Sequence, residues 1–440
     1  MLHRRLAELE KKGKPIRVGL IGAGRMGLGV LHQITRTKGM RIAAVADCQA
    51  SRAAEAAQSN LSSRGAVLAT DNLAEATRVV ESGGAVATSD SRMVCRLPLD
   101  VVIEATGIPD SGAQVALEAI EQKKHIVTLN VEADAVIGPI LSHLANRAGV
   151  VYTVTAGDEP GVLGGMYEWA VSIGLQVVVA GKGCMRPIDW NANPDSVAAE
   201  AKRLGINPKM LASFRDGSKH NVEVCVVANG TGLVPDVRGT HARPLALDEI
   251  PRVLCPKKDG GILDQSGVVE IAPPVLDAEG RPDMARSVTP GVYLVVTTDH
   301  PQIHADFKYL LVGDGPYYLL HRPFHLCAME TPNSIARAAI YGDATLNAPG
   351  GPVAEVIAIA KRDLKPGEIL TGSGGAEITG QIEKHAICRK ENLLPLGLAY
   401  GVKLKRAVPK GTPLVLDDVA LDESLAIQKL WRLQQKTFPI

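Results

Sequence analysis

The stretch Ile16–Asp47, IRVGLIGAGRMGLGVLHQITRTKGMRIAAVAD, decides the fold. Its first six residues, IRVGLI, form a short, mostly apolar run that predicts a buried strand. The run ends in GAGRMG, which sets Gly22, Gly24 and Gly27 at the spacing GxGxxG, with Ala23, Arg25 and Met26 between them. Such spacing has a physical reading at each position. Gly22 allows a tight turn, Gly24 lets a pyrophosphate approach the backbone, and Gly27 lets a new helix pack on the strand. Apolar residues at helical spacing follow through Leu31 and Ile34, and a second strand, Arg41 to Ala46, ends at Asp47. A strand, a glycine loop, a helix and an acidic strand end are the parts of a dinucleotide-binding Rossmann unit, whose helix N-terminus offers N–H donors to phosphate. Asp47 is placed to accept the adenosine ribose hydroxyls, which suits NAD. Arg25 and Arg52 could instead hold the 2′-phosphate of NADP, so residue chemistry leaves both cofactors open.

Outward from this unit, the runs 100–104 (DVVIE), 126–129 (IVTL) and 150–155 read as further parallel strands alternating with helices. Two of their ends, EATG (104–107) and TLNVEAD (128–134), should face the nicotinamide, because ligands of such sheets sit beyond the carboxyl ends of the strands. Thr106 and Gly107 are therefore expected at the cofactor, and Asn130 and Glu132 beside the substrate. The stretch 75–96 interrupts the alternation and reads as an excursion. From 156 onward Gly, Asn and Pro become frequent, with helices expected near 196–204 and 219–229 and strands at 292–297 and 308–312. The turn-rich NAPGGP (347–352) reads as a linker. Beyond it, VIAIAKRDLKPGEIL and GVKLKRAVPKGTPLV repeat one phrase: apolar strand, basic pair, turn, strand. The expected organisation is α/β, with an N-terminal Rossmann domain (1–155), a central α+β substrate domain (156–346) and a small β-rich domain with a C-terminal helix (347–440).

Composition removes several classes of function. The 440 residues carry 48 Lys and Arg against 47 Asp and Glu, a formal net charge of +1, so no electrostatic argument favours nucleic acid or an anionic membrane. Seven cysteines lie at 48, 95, 184, 225, 255, 327 and 388 without a CxxC pair, which fits neither a disulfide framework nor a zinc module. No run of about 18 apolar residues is present, and Met1–Lys14 has no apolar signal-peptide core. A soluble, cytoplasmic protein with a small-molecule substrate is the expectation.

Hydride transfer asks the protein for positioning and a proton donor or acceptor near the substrate oxygen. In DGSKHNVEV, Lys219 and Glu223 are four apart and share a helix face, with Asp216 expected at the helix start. Lys182, in AGKGC after an apolar run, is placed to meet a substrate phosphate or carboxylate, with Arg186 close by. Asp158 and Glu159, in AGDEPG, could take substrate hydroxyls or a divalent metal.

Together GAGRMG, EATG, TLNVEAD, AGDEPG and FRDGSK resemble the homoserine-dehydrogenase-like oxidoreductases that carry a C-terminal SAF domain, along essentially the whole chain. Within that group the chain is most similar to the 1-deoxy-D-xylulose 5-phosphate reductoisomerase-like enzymes. The resemblance implies an NADPH-dependent reductoisomerase that makes 2-C-methyl-D-erythritol 4-phosphate for isoprenoid precursor synthesis, with a manganese or magnesium ion and a homodimer or homotetramer. It favours NADP(H) over NAD(H), against the reading of Asp47. Lys219 is then the group at the substrate carbonyl, oriented by Asp216 and Glu223, with the phosphate on Lys182 or Arg186. The chain departs from homoserine dehydrogenases at Val131, where they carry lysine, and from the standard reductoisomerase in its glycine loop and its lack of a DSE-type motif. Two alternatives stand beside this reading: a simple dehydrogenase of a small hydroxy acid or sugar phosphate, and a non-catalytic dinucleotide sensor.

Overall fold

In the computed structural model, which describes residues 1–62 and 65–439, the chain folds as two compact units. The first comprises Met1–Gly161, Leu326–Pro349 and Lys429–Thr437, and the second Val162–His325, Gly350–Gln428 and the pair Phe438 and Pro439. The sequence reading drew three divisions. In space, the chain after 350 belongs with 162–325, and the C-terminal helix Ala426–Thr437 lies largely in the first unit.

The first unit is built on a seven-stranded parallel sheet: β1 (Ile16–Ile21), β2 (Met40–Ala46), β3 (Val67–Ala69), β4 (Ala85–Thr88), β5 (Val101–Glu104), β6 (His125–Thr128) and β7 (Tyr152–Val154). The strands lie in the order β3-β4-β2-β1-β5-β6-β7. Nearly every residue of β1, β2 and β5 is buried, as expected of strands covered by helices on both faces. The order in which strands are added reverses between β1 and β5, which run parallel, so their carboxyl ends flank the crevice where ligands of such sheets bind. The interval 75–96 is no irregular excursion. It holds the helix ending at Glu81, strand β4 and the helix Ser91–Arg96, and β4 inserts between β3 and β2. The strand was hidden because AVAT is only four residues long and ordinary in composition.

Within the first unit, Asp134 is fully enclosed on the helix Val131–Ala148, with Tyr152 as hydrogen-bond partner. Burial pushes its carboxyl up to about 6, from an ordinary value of 3.8. A carboxyl with a raised folded-state pKa favours folding at pH below its unfolded value, and that contribution is lost as pH rises through about 6. Asp134→Asn keeps an acceptor for Tyr152 without the charge. It should therefore melt higher than wild type at pH 7.5, by at most about 3 kcal/mol at roughly 1.4 kcal/mol per pK unit. At pH 4 the two melting curves should coincide. A pH-independent difference would show that Asp134 is not the titrating group.

The second unit centres on a five-stranded mixed sheet of β8 (Gln176–Gly183), β9 (Val234–Pro235), β10 (Val268–Ala272), β11 (Val292–Thr297) and β12 (Tyr318–Arg322), in the order β12-β11-β8-β10-β9. The strand expected at 308–312 is instead the end of the helix Pro301–Tyr309 and a turn in which Leu311 has φ +58°. Its apolar side chains face water, and the edge strand falls at β12. An apolar run was mistaken for a strand because burial, not apolarity, makes one.

The helix Ser218–Thr231 packs both on this sheet and on the antiparallel pair β13 (Ala354–Ala360) and β14 (Ile378–Lys384). Its polar residues face the strand pair: Ser218 Oγ accepts from the Gly380 N–H, Asn221 Oδ1 from Ile382, and Asn229 Oδ1 from Val353 and Ala354. Buried backbone donors require such acceptors. The repeated phrases KRDLKPGEIL and KRAVPKGTPL pair with each other. Leu364 and Val408, equivalent in the two copies, exchange reciprocal N–H···O bonds of 2.8 and 3.1 Å, and the matching turns are made by Gly367 and Gly411 in left-handed conformation. Short strands β15 (Lys403–Leu404) and β16 (Val419–Ala420) complete this region. Among the described residues no helix is long and apolar enough to cross a membrane.

Candidate functional site

The glycine loop follows β1 as its spacing demands. Gly22 has φ +101°, and a Cβ there would meet the Ala105 carbonyl at 2.6 Å, so the loops after β1 and β5 touch through a glycine. A Cβ on Gly27 would lie 1.8 Å from the Gly22 carbonyl oxygen, whereas one on Gly24 would meet nothing within 4 Å. Gly27 is thus needed by the fold, and Gly24 keeps open the approach to the N-terminus of the helix Arg25–Thr35. Arg25 and Met26 are exposed on its first turn, and Ala23 is buried. The cradle has the shape and the N–H donors for a pyrophosphate.

Asp47 ends β2, buried, and accepts from the Ala23 N–H at 3.0 Å and the Gln49 N–H at 2.9 Å. Arg52 reaches within 3.8 Å of the same carboxylate with its own side chain half exposed. The Asp47 carboxylate and the Arg52 guanidinium thus stand together at the carboxyl end of β2. Asp47→Ser is therefore expected to shift the ratio of NADP to NAD affinity at least tenfold toward NADP, read by fluorescence titration with both cofactors. An unmoved ratio would take Asp47 out of ribose recognition.

Glu104, at the carboxyl end of β5, was not singled out from sequence, although an acidic residue closing an apolar strand was a legible signal. It is fully enclosed, and burial raises its pKa against the pull of hydrogen bonds from Thr106. The Thr106 N–H and hydroxyl both donate to Glu104 Oε1, at 2.8 and 2.5 Å. Thr106 and Gly107 (φ +68°) thus sit in a loop fixed from beneath, at the switch point. Asn130 is wholly buried: its Oδ1 accepts from the Ala133 N–H, and its Nδ2 donates to the Ile108 carbonyl. Its amide is committed to shaping the ends of β5 and β6, and Glu132 lies half-buried in the next helical turn. Asp158, half-buried, and Glu159, buried, stand at the entrance of the helix Glu159–Ser172.

In the second unit the structure gathers three of the expected groups. Lys182 is buried. It lies within β8, 1% exposed, and its ammonium contacts the Glu223 carboxylate. Lys219 reaches the other oxygen of Glu223 at 4.0 Å from one helical turn away, and His220 Nδ1 lies 3.9 Å from Glu223 Oε2. Two lysines and a histidine thus converge on one buried carboxylate, with Lys219 the more exposed member. Such a cluster can polarise a carbonyl, hold a developing oxyanion and deliver a proton.

Asp216 does not join this cluster. It ends the preceding helix Pro208–Arg215 and accepts from the Ser218 N–H, while Gly217, at φ +79°, begins the next helix. Its second oxygen is ion-paired to the buried Lys361 at 2.6 Å, and Lys361 also donates to the carbonyls of Ala192 and Gly375. Asp216 therefore anchors the helix carrying Lys219 and Glu223 rather than orienting Lys219 directly. Arg186 is largely exposed and lies 3.7 Å from Glu200. His241, also missed from sequence, is clamped between Glu270 at 2.7 Å and Asp236 at 3.6 Å in a loop where Thr240 and Ala242 both have positive φ.

The family model described as homoserine dehydrogenase, NAD binding domain, matches residues 22–155, and the one described as oxidoreductase DRL, catalytic domain, matches 157–331. The boundary falls between the glycine-loop sheet and the lysine–carboxylate cluster. The chain is an NAD(P)-dependent oxidoreductase. A homoserine dehydrogenase from Neisseria gonorrhoeae (strain ATCC 700825 / FA 1090) is 27% identical to this oxidoreductase over 156 residues, 34% of this chain and 31% of the relative. The match thus spans about a third of that curated protein. Among solved structures, a probable dehydrogenase from Thermotoga maritima has a TM-score of 0.41 at 14% identity, covering 75% of this chain and 90% of that one. 1-Deoxy-D-xylulose 5-phosphate reductoisomerase from Zymomonas mobilis in complex with NADPH has a TM-score of 0.32 at 17% identity, covering 46% and 57%.

Proposed function

We propose that this oxidoreductase acts on a phosphorylated hydroxy-ketone, as an NADPH-dependent reductoisomerase converting 1-deoxy-D-xylulose 5-phosphate to 2-C-methyl-D-erythritol 4-phosphate. The observation that carries the reading is the convergence of Lys182, Lys219 and His220 on buried Glu223, within the segment matched by the oxidoreductase catalytic model. A rearranging ketose needs its ketone oxygen held as charge builds on it, and the aldehyde that results takes hydride at its carbon and a proton at its own oxygen. A reduced nicotinamide supplies the hydride when bound. Lys219, the accessible cation, holds the carbonyl oxygen and gives up the proton. Glu223 holds Lys182 and Lys219 in place by ion pairing. Arg186, exposed beside Glu200, takes the substrate phosphate. Asp158 and Glu159 offer the carboxylate oxygens that magnesium or manganese prefers. The protein is expected to work as a homodimer or homotetramer.

A second reading, a metal-independent dehydrogenase of a small hydroxy acid or sugar phosphate, is favoured by the buried, pre-bonded Asp47 carboxylate, which suits NAD. One assay separates the two. Purified protein with NADPH, manganese and 1-deoxy-D-xylulose 5-phosphate should lose the reduced-nicotinamide absorbance and yield the branched polyol phosphate. No loss despite cofactor binding, together with turnover of an alcohol by NAD in the presence of a chelator, would replace the first reading with the second. In whichever assay is active, Lys219→Ala should lower turnover at least a hundredfold with cofactor affinity unchanged.

A further inference from the structure

A groove of about 700 Å³ opens in the first unit among Arg5, Lys12, Lys14, Lys123, His125 and Tyr341. It lies at the start of the strands: Ile16 begins β1, Asp100 precedes β5 and His125 begins β6. The dinucleotide loops follow the opposite ends of the same strands, Ile21 and Glu104, about 17 Å away at roughly 3.3 Å per residue. This is a second site, in the size range of small-molecule pockets.

Its charge is unbalanced. The two carboxylates that line it are already paired, Glu8 with Arg5 at 3.4 Å and Asp100 with Arg17 at 3.2 Å. Lys12, Lys14 and Lys123 are exposed, and among the described residues none of them is engaged in an ion pair. Lys123 is held at φ +54°, a conformation rarely taken by a residue with a side chain. His125 adds a fixed donor. Its Nδ1 accepts the Val151 N–H at 3.0 Å, so the ring proton resides on Nε2. Burial lowers the ring's pKa, which keeps that tautomer neutral. Leu9, Ile340 and the half-exposed ring of Tyr341 supply an apolar side to the same groove. Three unpaired cations and a neutral donor beside an exposed aromatic ring match an anion carrying a flat ring.

We propose that this groove binds a nucleoside polyphosphate, separately from the dinucleotide, with the phosphates on Lys12, Lys14 and Lys123 and the base against Tyr341. The test is calorimetric titration of ATP, and in parallel inorganic triphosphate, into protein already saturated with NADPH. One ATP per chain should still bind, and triphosphate should bind several-fold more weakly. Lys12→Glu/Lys123→Glu should weaken ATP at least tenfold, and Tyr341→Ala several-fold, with NADPH affinity unchanged in both. The absence of ATP binding under NADPH saturation would overturn the proposal. So would an ATP affinity indifferent to charge reversal. Triphosphate binding as tightly as ATP would overturn the nucleotide assignment. Should the charge-reversed protein lose NADPH binding through misfolding, Tyr341→Ala alone decides, and an unchanged ATP affinity there overturns the proposal.

Discussion

Lys182→Met should lower kcat by about two to four orders of magnitude, the range associated with loss of positioned proton transfer, while leaving NADPH affinity in place. The loss follows because Lys182 helps to fix the Glu223 carboxylate that positions Lys219. Lys182 is 1% exposed in the middle of a sheet, where an ammonium is costly to bury without a partner. That partner is Glu223, and methionine fills nearly the same volume without the charge. In the variant, Glu223 retains Lys219 at 4.0 Å and His220 at 3.9 Å. The stability loss should therefore stay below the roughly 3–5 kcal/mol seen when a buried ion is left unpaired. Urea denaturation, cofactor titration and steady-state kinetics on one preparation separate the effects. A folded, NADPH-binding variant with normal kcat would show the Lys182–Glu223 pair to be purely structural and Lys219 to act without it.

The glycine loop should split into two phenotypes. Gly24→Val should fold normally, since its Cβ position is open and its φ is −75°, yet lose at least a hundredfold in dinucleotide affinity because the branched side chain fills the phosphate approach. Gly27→Val should fail as a fold, because its Cβ would fall 1.8 Å from the Gly22 carbonyl oxygen and the helix could not seat on β1. Thermal melts and NADPH fluorescence distinguish them. A Gly24→Val protein that binds NADPH normally would mean that this loop does not carry the pyrophosphate.

Local signals made the Rossmann half legible. The strand, the glycine spacing, the helix and Asp47 are contiguous, and each follows from short-range geometry. Lys219 and Glu223 were legible together because one helical turn brings them together whatever the tertiary fold. The burial of Lys182 was not legible. Glycines on both sides of it suggest a turn, but in β8 they have another cause: a Cβ at Gly181 would meet the Tyr293 ring at 2.3 Å, and one at Gly183 the Thr289 backbone at 2.6 Å. Asp216 reads as the start of the helix of Lys219, whereas it ends the preceding helix and pairs with Lys361, far along the chain.

By itself, then, the sequence determined the cofactor class, the parallel sheet and one face of the helix carrying Lys219 and Glu223, all of which depend on neighbours within a few residues. Only the tertiary structure decided that Lys182 shares Glu223 with Lys219, that Asp216 pairs with Lys361, and that the repeated phrases at 361–370 and 405–414 pair with each other. Each of these joins residues distant in the chain. The free energy of a buried charge or an unpaired strand is set by what surrounds it in space, which no local pattern encodes.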